Sequence, residues 1–480
     1  MKKITILTFL FIAFAGFTSI AQTTVYVSAT GAGVSDGTSV ENAYGNFTNA
    51  MNQITSEGDK LVIIGTINLG GTILNDKNFA FTIEGLDASS NLAGNGGTGR
   101  LFTINGASSA DVTFKNLIFS GFTTTLAGGG VFFNNTAGVT ATFENCTFSG
   151  NSVTNNAGGG AISVSNGNLN ITDCVFEDNT SSNKGGAIVA ANSANVNISG
   201  SLFNGNSGTR GGAISVTGNG LDFVLDTSTF VNNTATTNDG GAMYLGGTNA
   251  NSSITNTTVF NNKVIYSTLN QSRGGGIRIE GTRPFTISNS LIYGNFVDDG
   301  NGTNTSDIGS APQVELILDH SITKTIVPAL IAVGDGGNDV FSTSITDANL
   351  SASNLTFNET SGYVEYNTVD EGTDSPIDFG SDGNDVGAWN SEFTLSLDKD
   401  ELLASKLSVY FNASSKNIEV LHTINEPVSL QIYNILGSKV LSMKDISKKQ
   451  IINANVLNSG IYILVGKTSN KFFSKKFLIN

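Results

Sequence analysis

Lys184, Arg210 and Asp239 each stand two residues before the glycine that closes a Gly-Gly pair, at Gly186, Gly212 and Gly241, and Arg273 stands near the next such run. A lysine and an arginine held one repeat apart set two positive charges side by side, able to hold a sugar carboxylate between them. The same side chains equally fit a plain surface ion-pair ladder, and surroundings rich in Thr, Ser and Asn favour that reading. Acid pairs at Asp298 and Asp299, Asp335 and Asp339, and Asp382 and Asp385 offer two carboxylates for glycoside hydrolysis. Each lies in a Gly- and Asn-rich loop, however, where acids more often end a turn or bind calcium. Calcium at Asp335, Asp339, Asp382 or Asp385 is therefore the one cofactor suggested, although DGGND and DGND lack the EF-hand spacing. Only two histidines are present, His320 and His422. A Ser-His-Asp or Cys-His arrangement would rest on His320 in LILDHS with no nucleophile motif nearby, and zinc would want three or four N or S ligands.

These residues are set by a repeat. From residue 128 the chain reads GGGVFF, GGGAISV, GGAIVA, GGAISV, GGAMYL and GGGIRI, closing at Gly130, Gly160, Gly186, Gly212, Gly241 and Gly276. CTFSGN, CVFEDN, SLFNGN, STFVNN, TVFNN and SLIYGN lie between. A period of this length marks a solenoid whose units bury their apolar faces only against neighbours. Short apolar runs such as AISV, LNIT, VNIS and FTIS, separated by turn residues and without a helical period, predict an all-β fold, a parallel β-helix with one repeat per coil. Stacking would put Phe148, Phe176, Phe203 and Phe230 in one interior column. Asn151, Asn179, Asn206 and Asn233, followed by Asn262 and Asn295, would form an inner amide ladder that pairs buried turn backbone. Cys146 and Cys174 each precede a column phenylalanine by two residues, so adjacent coils would hold their Cα atoms about 4.8 Å apart. That spacing admits a disulfide or a stacked pair of buried thiols.

The GGA[I/V] and FxxN pairing resembles the repeat of polymorphic outer-membrane proteins and the wider right-handed parallel β-helix group with its pectin lyase-like fold. The resemblance covers about residues 115–300. The stretch from TVYVSATG to VIIGTINL is similar to the start of many secreted β-helix proteins, where a short helix closes the first coil. Phe47, Ala50, Met51 and Ile54 fall on one helical face and predict an N-terminal helical cap. TDSPIDFGSDGNDVGAWN, with the chain's one tryptophan at Trp389, resembles the passage that closes such domains. Some β-helix polysaccharide lyases place a lysine and an arginine about one coil apart, as base and acid for β-elimination from a uronic acid, and the resemblance lends that chemistry to Lys184 and Arg210.

Residues 1–21 read as a signal peptide: Lys2 and Lys3, an apolar run, then Ser19-Ile20-Ala21 as a cleavage site. No cysteine follows, so a lipid anchor there is not expected, and no later stretch is apolar enough to span a membrane. The sequence from 22 to 405 holds 12 basic and 36 acidic residues, a net charge of −24. That balance argues against nucleic acid and anionic membrane surfaces as partners. Residues 406–480 reverse it, with ten lysines against three acids, a net of +7.

The expected organisation is a signal peptide at 1–21, a β-helix domain at 22–395, a linker at 396–405 and a C-terminal domain at 406–480. LSVYFNASSKNIEVLH, PVSLQIYNILGSKVLSM, LNSGIYILVGKT and KKFLIN alternate like half-buried strands and predict a small antiparallel β-sandwich. This tail resembles the type A C-terminal sorting domain of the type IX secretion system. Ile432 to Val440, Leu457 to Tyr462 and Lys475 to Asn480 match three of its elements, while Tyr410-Phe411-Asn412-Ala413 lacks both prolines of the usual start. The resemblance implies export by that machinery through residues 406–480, loss of the tail, and release or anchoring at the outer-membrane surface of a gram-negative cell, the only membrane association expected. For function the residues favour an adhesin or carbohydrate-binding protein acting on glycans or cell-surface molecules, because histidine and aromatic platforms are scarce. The alternative is a secreted polysaccharide lyase or glycoside hydrolase on a pectate-lyase-like β-helix.

Overall fold

The computed structural model describes residues 22–327 apart from short internal stretches, the strands Val340–Ser342, Leu355–Asn358 and Tyr363–Tyr366, and most of 407–479. It divides into two compact units, which are the solenoid with the strands that follow it, and the C-terminal region.

The solenoid is built of three parallel sheets. One receives two stretches from each coil, which run together as single long strands at Ile162–Thr172 and Ile188–Ser199. The second has ten strands of about three residues each, and the third has eight. Pairing is in register from coil to coil, as in Phe148↔Phe176, Phe176↔Phe203 and Phe203↔Phe230. Alternation explains each strand: Phe81–Gly85 buries Phe81, Ile83 and Gly85 and turns Thr82 and Glu84 outward. The third sheet ends at residues 296–305, where Phe296–Asp298 turns back on Thr303–Thr305 as an antiparallel pair.

The phenylalanines stack as a column. Phe119, Phe148, Phe176, Phe203 and Phe230 follow one another with ring centroids 4.7, 4.7, 4.6 and 4.4 Å apart and planes within 7°. All five rings are buried, each worth about 1.5–3 kcal/mol of apolar burial. Val259 and Ile292 continue the column at one end and Leu92 at the other.

Corners are set by the backbone. The residue before each ladder asparagine has positive φ: Gly150, Asp178, Gly205, Asn232, Asn261 and Gly294, all between 54° and 71°. Only Gly, Asn and Asp take that conformation readily, so the sequence of each corner reads Gly-Asn, Asp-Asn or Asn-Asn. The glycine pair divides its work. Gly185 has φ of 62°, whereas a Cβ on Gly186 would lie 2.1 Å from the Gly212 carbonyl oxygen of the next coil.

The register corrects two of the closing glycines. Val131 pairs with Ile162 and Ile277 with Ile308, so Gly130 and Gly276 share a column with Ala161, Ala187, Ala213 and Ala242. The partners of Gly160, Gly186, Gly212 and Gly241 are Gly129 and Gly275. A third glycine extends the pair in those two coils and shifted the sequence reading by one.

One α-helix is present among the described residues, Phe47–Asn52, capped by the Asn46 side chain, which accepts from the Asn49 N–H at 3.0 Å. It buries Phe47, Ala50 and Met51, and the Phe47 ring lies 6.4 Å from that of Phe102. Six residues span only about 9 Å, so the helix by itself is too short to cover a coil end.

The C-terminal unit has two antiparallel sheets. Leu407–Asn412, Asn417–His422 and Lys449–Asn453 form one, and Lys439–Met443, Ser429–Asn434, Gly460–Lys467 and Phe472–Ile479 the other. Ile418, Val420, Leu430, Ile432, Leu464 and Ile479 of the two sheets share one core.

Candidate functional site

Moving the closing glycine of the sixth repeat to Gly275 brings Arg273 into line. Lys184, Arg210, Asp239 and Arg273 then each stand two residues before the second glycine of a pair. Their backbones are joined coil to coil: the N–H groups of Gly185, Gly211 and Gly240 donate to the carbonyls of Arg210, Asp239 and Arg273 at 2.9–3.0 Å. The four residues are therefore one column, with charges plus, plus, minus, plus.

Asp239 is the hinge of this column and is 6% exposed. Its carboxylate takes Arg273 Nη1 at 2.8 Å and Arg210 Nη2 at the looser distance of 3.4 Å. The Asn238 amide oxygen accepts from the same two groups, at 3.3 Å from Arg210 Nη2 and 3.2 Å from Arg273 Nη1. Each guanidinium also lies on a tyrosine, Arg210 at 4.5 Å from the Tyr244 ring centre and Arg273 at 4.1 Å from that of Tyr266. The Tyr244 hydroxyl donates to Glu280 Oε2 at 2.6 Å. Burial, with that bond to Glu280 second, pushes the Tyr244 phenol far above its ordinary range, so it remains a neutral donor. Arg278, next to Tyr244 in the outward-facing register, gives Nε and Nη2 to Glu280 Oε1 at 3.2 Å each and Nη1 to the Ser310 carbonyl. Lys184 is half-buried, and it has no carboxylate within 4.0 Å among the described residues.

Sequence reasoning found the charged column and missed its supports, Asn238, Tyr244, Tyr266, Arg278 and Glu280. The signal for Tyr244 was legible: it stands where the neighbouring coils carry Val189 and Ser215.

The inner asparagines are joined Nδ2 to Oδ1 through Asn151, Asn179, Asn206, Asn233, Asn262 and Asn295 at 2.8–3.0 Å. Each Oδ1 also takes a backbone N–H from the preceding coil, and each Nδ2 reaches a carbonyl there, as Asn179 does to Phe148 O at 2.9 Å. The ladder ends on Asp307, a fully buried acid that the sequence reading did not single out. Its Oδ1 takes the Asn295 amide and N–H at 3.0 Å each, and its Oδ2 takes the N–H groups of Lys324 and Thr325 at 3.0 and 3.1 Å. Burial, partly offset by those bonds, pushes the Asp307 carboxyl up to about 6.

Cys146 and Cys174 are free, buried thiols on neighbouring coils, so the disulfide alternative is not realised. The reason lies in the column they share with Ser201, Ser228, Thr257, Ser290 and Ser321. Each hydroxyl donates to the carbonyl two residues back, as Ser201 and Ser228 do at 2.8 Å, and Ser201, Ser228, Ser290 and Ser321 each accept an N–H from the previous coil. The sulfurs do the same: Cys174 Sγ reaches Thr172 O at 3.3 Å and accepts from the Cys146 N–H at 3.4 Å. They are two members of a hydroxyl ladder with sulfur in place of oxygen. Burial holds the Cys174 thiol well above its usual range and so protonated.

His320 has φ of 45° and lies in the turn column of Asn116, Asn145, Asp173, Thr227, Asn256 and Asn289, all with positive φ. Its Nδ1 meets Asp319 Oδ1 at 2.7 Å. Asp298 and Asp299 bind the N–H groups of Gly300 and Gly302 in the hairpin turn at 2.8 and 2.9 Å. Asp335, Asp339, Asp382 and Asp385, and Trp389 with the closing passage, lie outside the described residues. Among the described residues no three His, Cys, Asp or Glu side chains converge as a metal site would require. An open cleft of about 290 Å³ lies far along the chain from the charged column, lined by Leu86, Asn116, Ile118, Asn145 and Thr147 among others.

Comparison with known families agrees with this architecture. Residues 72–264 match the family described as right handed beta helix region. Residues 408–480 match the secretion system C-terminal sorting domain. The chain is thus a right-handed parallel β-helix protein that carries a C-terminal sorting domain for secretion, and it is exported. No curated protein matches it. Among solved structures it is similar to the tailspike protein of Acinetobacter phage vB_ApiP_P1, at 13% identity over 87% of this chain and 73% of that one. The TM-score is 0.34, too low to carry an argument about fold or function.

Proposed function

We propose that this protein is displayed at the cell surface after type IX export through its C-terminal domain, and that its solenoid binds glycans. The observation that carries the reading is the column from Lys184 to Arg273. Two arginines there are 27% and 22% exposed and are held on tyrosine faces, in a solenoid that also carries outward amide ladders. Arginine on an aromatic ring combines a fixed cation with a flat apolar surface, a pairing suited to sugars. The amide ladders Asn168–Asn195 and Asn170–Asn197 supply repeated hydrogen-bonding edges on the same solenoid.

The alternative, a secreted polysaccharide lyase or hydrolase, draws on Lys184 and Arg210 standing one coil apart in register. It is the weaker reading because Arg210 already pairs with Asp239 and stacks on Tyr244, which leaves it poorly placed to act as an acid. Surface fractionation, together with a glycan array probed with the mature protein, tests the first reading. Unsaturated products or new reducing ends from acidic polysaccharides, lost in Lys184→Ala, would establish the second in its place.

A further inference from the structure

The charges of the column do not balance. Asp239 spends itself chiefly on Arg273, at 2.8 Å against 3.4 Å to Arg210. Arg278 is matched by Glu280. What remains is the pair Lys184 and Arg210, adjacent in register with no acid between them. Two other lysines of the solenoid do have acids, in Lys60–Glu84 and Lys115–Glu144, both at 2.7 Å.

The donors are also unspent. Arg210 commits Nη2 to Asp239 and Asn238 and keeps Nε buried, which leaves Nη1, with no acceptor among the described residues, as the donor open to a ligand. The Tyr244 ring and Asp239 already fix the plane of the guanidinium, so an incoming anion would order little that is not ordered already. Adjacent coils lie about 4.8 Å apart, which lets one small anion reach both cations.

Resting on the glycan-binding reading above, we infer that Lys184 and Arg210 together hold one anionic sugar, bearing a carboxylate or a sulfate, within an otherwise neutral glycan. Composition argues for one anion and against a polyanion. Residues 22–327 hold 21 acidic against 11 basic residues, a net of −10, and at physiological salt the attraction of a local pair fades over about 8 Å. A polyuronate or a nucleic acid would bring its further charges against an acidic surface. A glycan with a single acid would not, and Thr237, Asn183 and Asn238 lie within one or two residues of the column to meet neutral hydroxyls.

The test is calorimetry with the full mature protein and four probes: lactose, sialyllactose, lactose carrying one sulfate, and polygalacturonate. Either or both of the mono-anionic sugars should bind at least about 10-fold more tightly than lactose, as a charge-assisted hydrogen bond provides, and the two arms separate carboxylate from sulfate. Lys184→Ala should remove that preference, Lys184→Arg should restore it, and Lys115→Ala should leave it unchanged. Thermal melting checks that each variant is folded. Equal binding of lactose and the anionic sugars would overturn the inference while leaving the glycan reading intact. Tighter binding of polygalacturonate, or of duplex DNA, at low salt would overturn it from the other side. Failure of every probe, neutral and anionic, would remove the glycan reading together with it.

Discussion

Asp307 shows how much one side chain can decide. The six asparagines before it each need an acceptor on one side and a donor on the other, and the ladder can continue only while the next coil supplies another amide. After Asn295 the third sheet ends and the chain passes from Thr323 to Ile326, which pairs directly with Ile308. Backbone N–H groups now arrive from both sides, from Asn295 and from Lys324 and Thr325. Only a carboxylate accepts at both ends. Asp307→Asn would set its amide nitrogen against two N–H donors and should cost about 1–3 kcal/mol, read as a lower melting temperature. The titration adds a sign. Burial raises the Asp307 carboxyl from 3.8 to about 6, so between those values the folded chain binds more protons than the unfolded one. Burial outweighs the N–H bonds to the carboxylate, so the protonated form is the one the fold favours: stability is greatest below about pH 4 and falls as pH rises through about 6, a change on the order of 3 kcal/mol. Melting temperatures of the wild type and Asp307→Asn should therefore draw closer from about pH 4 to about pH 7, and a constant gap would refute the assignment. The thiols make the opposite point, that a reactive residue can be purely structural. Cys174→Ser places a hydroxyl where the following coils already have one, and it should change stability by less than about 1 kcal/mol. Thiol reagents should label neither cysteine until the solenoid unfolds.

At the scale of the element, the coil is a set of columns, and a substitution is felt in the coils on either side. Phe176 has rings 4.7 and 4.6 Å away on its two neighbours, so Phe176→Ala opens a void between them and should cost about 3–5 kcal/mol by denaturant unfolding. Asn206→Ala removes the acceptor of the Asn179 amide and N–H and the donor to Phe176 O, and should be comparably damaging although it deletes no apolar area. A result for Asn206→Ala like that of an exposed asparagine would mean that water replaces the ladder. The same columns show what could be read from sequence. Phe148 and Asn151 were legible because FxxN recurs with few interruptions, and Gly, Asn or Asp before each Asn marks the left-handed corner. The serine ladder was not legible, because Ser, Thr and Cys are common in this chain and their carbonyl partners lie only two residues back. Gly130 and Gly276 misled because a third glycine extends the pair, and only interstrand register separates a Gly in the Ala column from one facing a carbonyl 2 Å away. Arg273 joined its column only after that correction. Tyr266 was hidden for another reason: stacking depends on side-chain direction across coils, which spacing along the chain does not encode.

At the scale of the whole molecule, the two compact units have separate cores. The solenoid core runs unbroken from Val25 to Leu318, while the C-terminal unit buries Ile418, Val420, Leu430, Ile432 and Leu464 in a core of its own. Separate cores mean that one can be destroyed while the other stands, and this makes the sorting role testable without touching the binding column. Leu464 is fully buried, so Leu464→Asp places an unpaired charge in the smaller core, at a cost of several kcal/mol. That is enough to unfold a unit of this size, given the narrow margin on which small domains stand. The solenoid, with its stacked rings and amide ladder intact, should keep its own unfolding transition. If the folded tail is what the export machinery recognises, the Leu464→Asp protein should accumulate inside the cell as a folded solenoid with its tail attached. The wild-type surface form, by mass spectrometry, should instead begin near residue 22 and lack residues 408–480. Surface display of the variant at wild-type levels would show that recognition needs only a linear segment, and an intact tail on the wild-type surface form would show that sorting proceeds without cleavage.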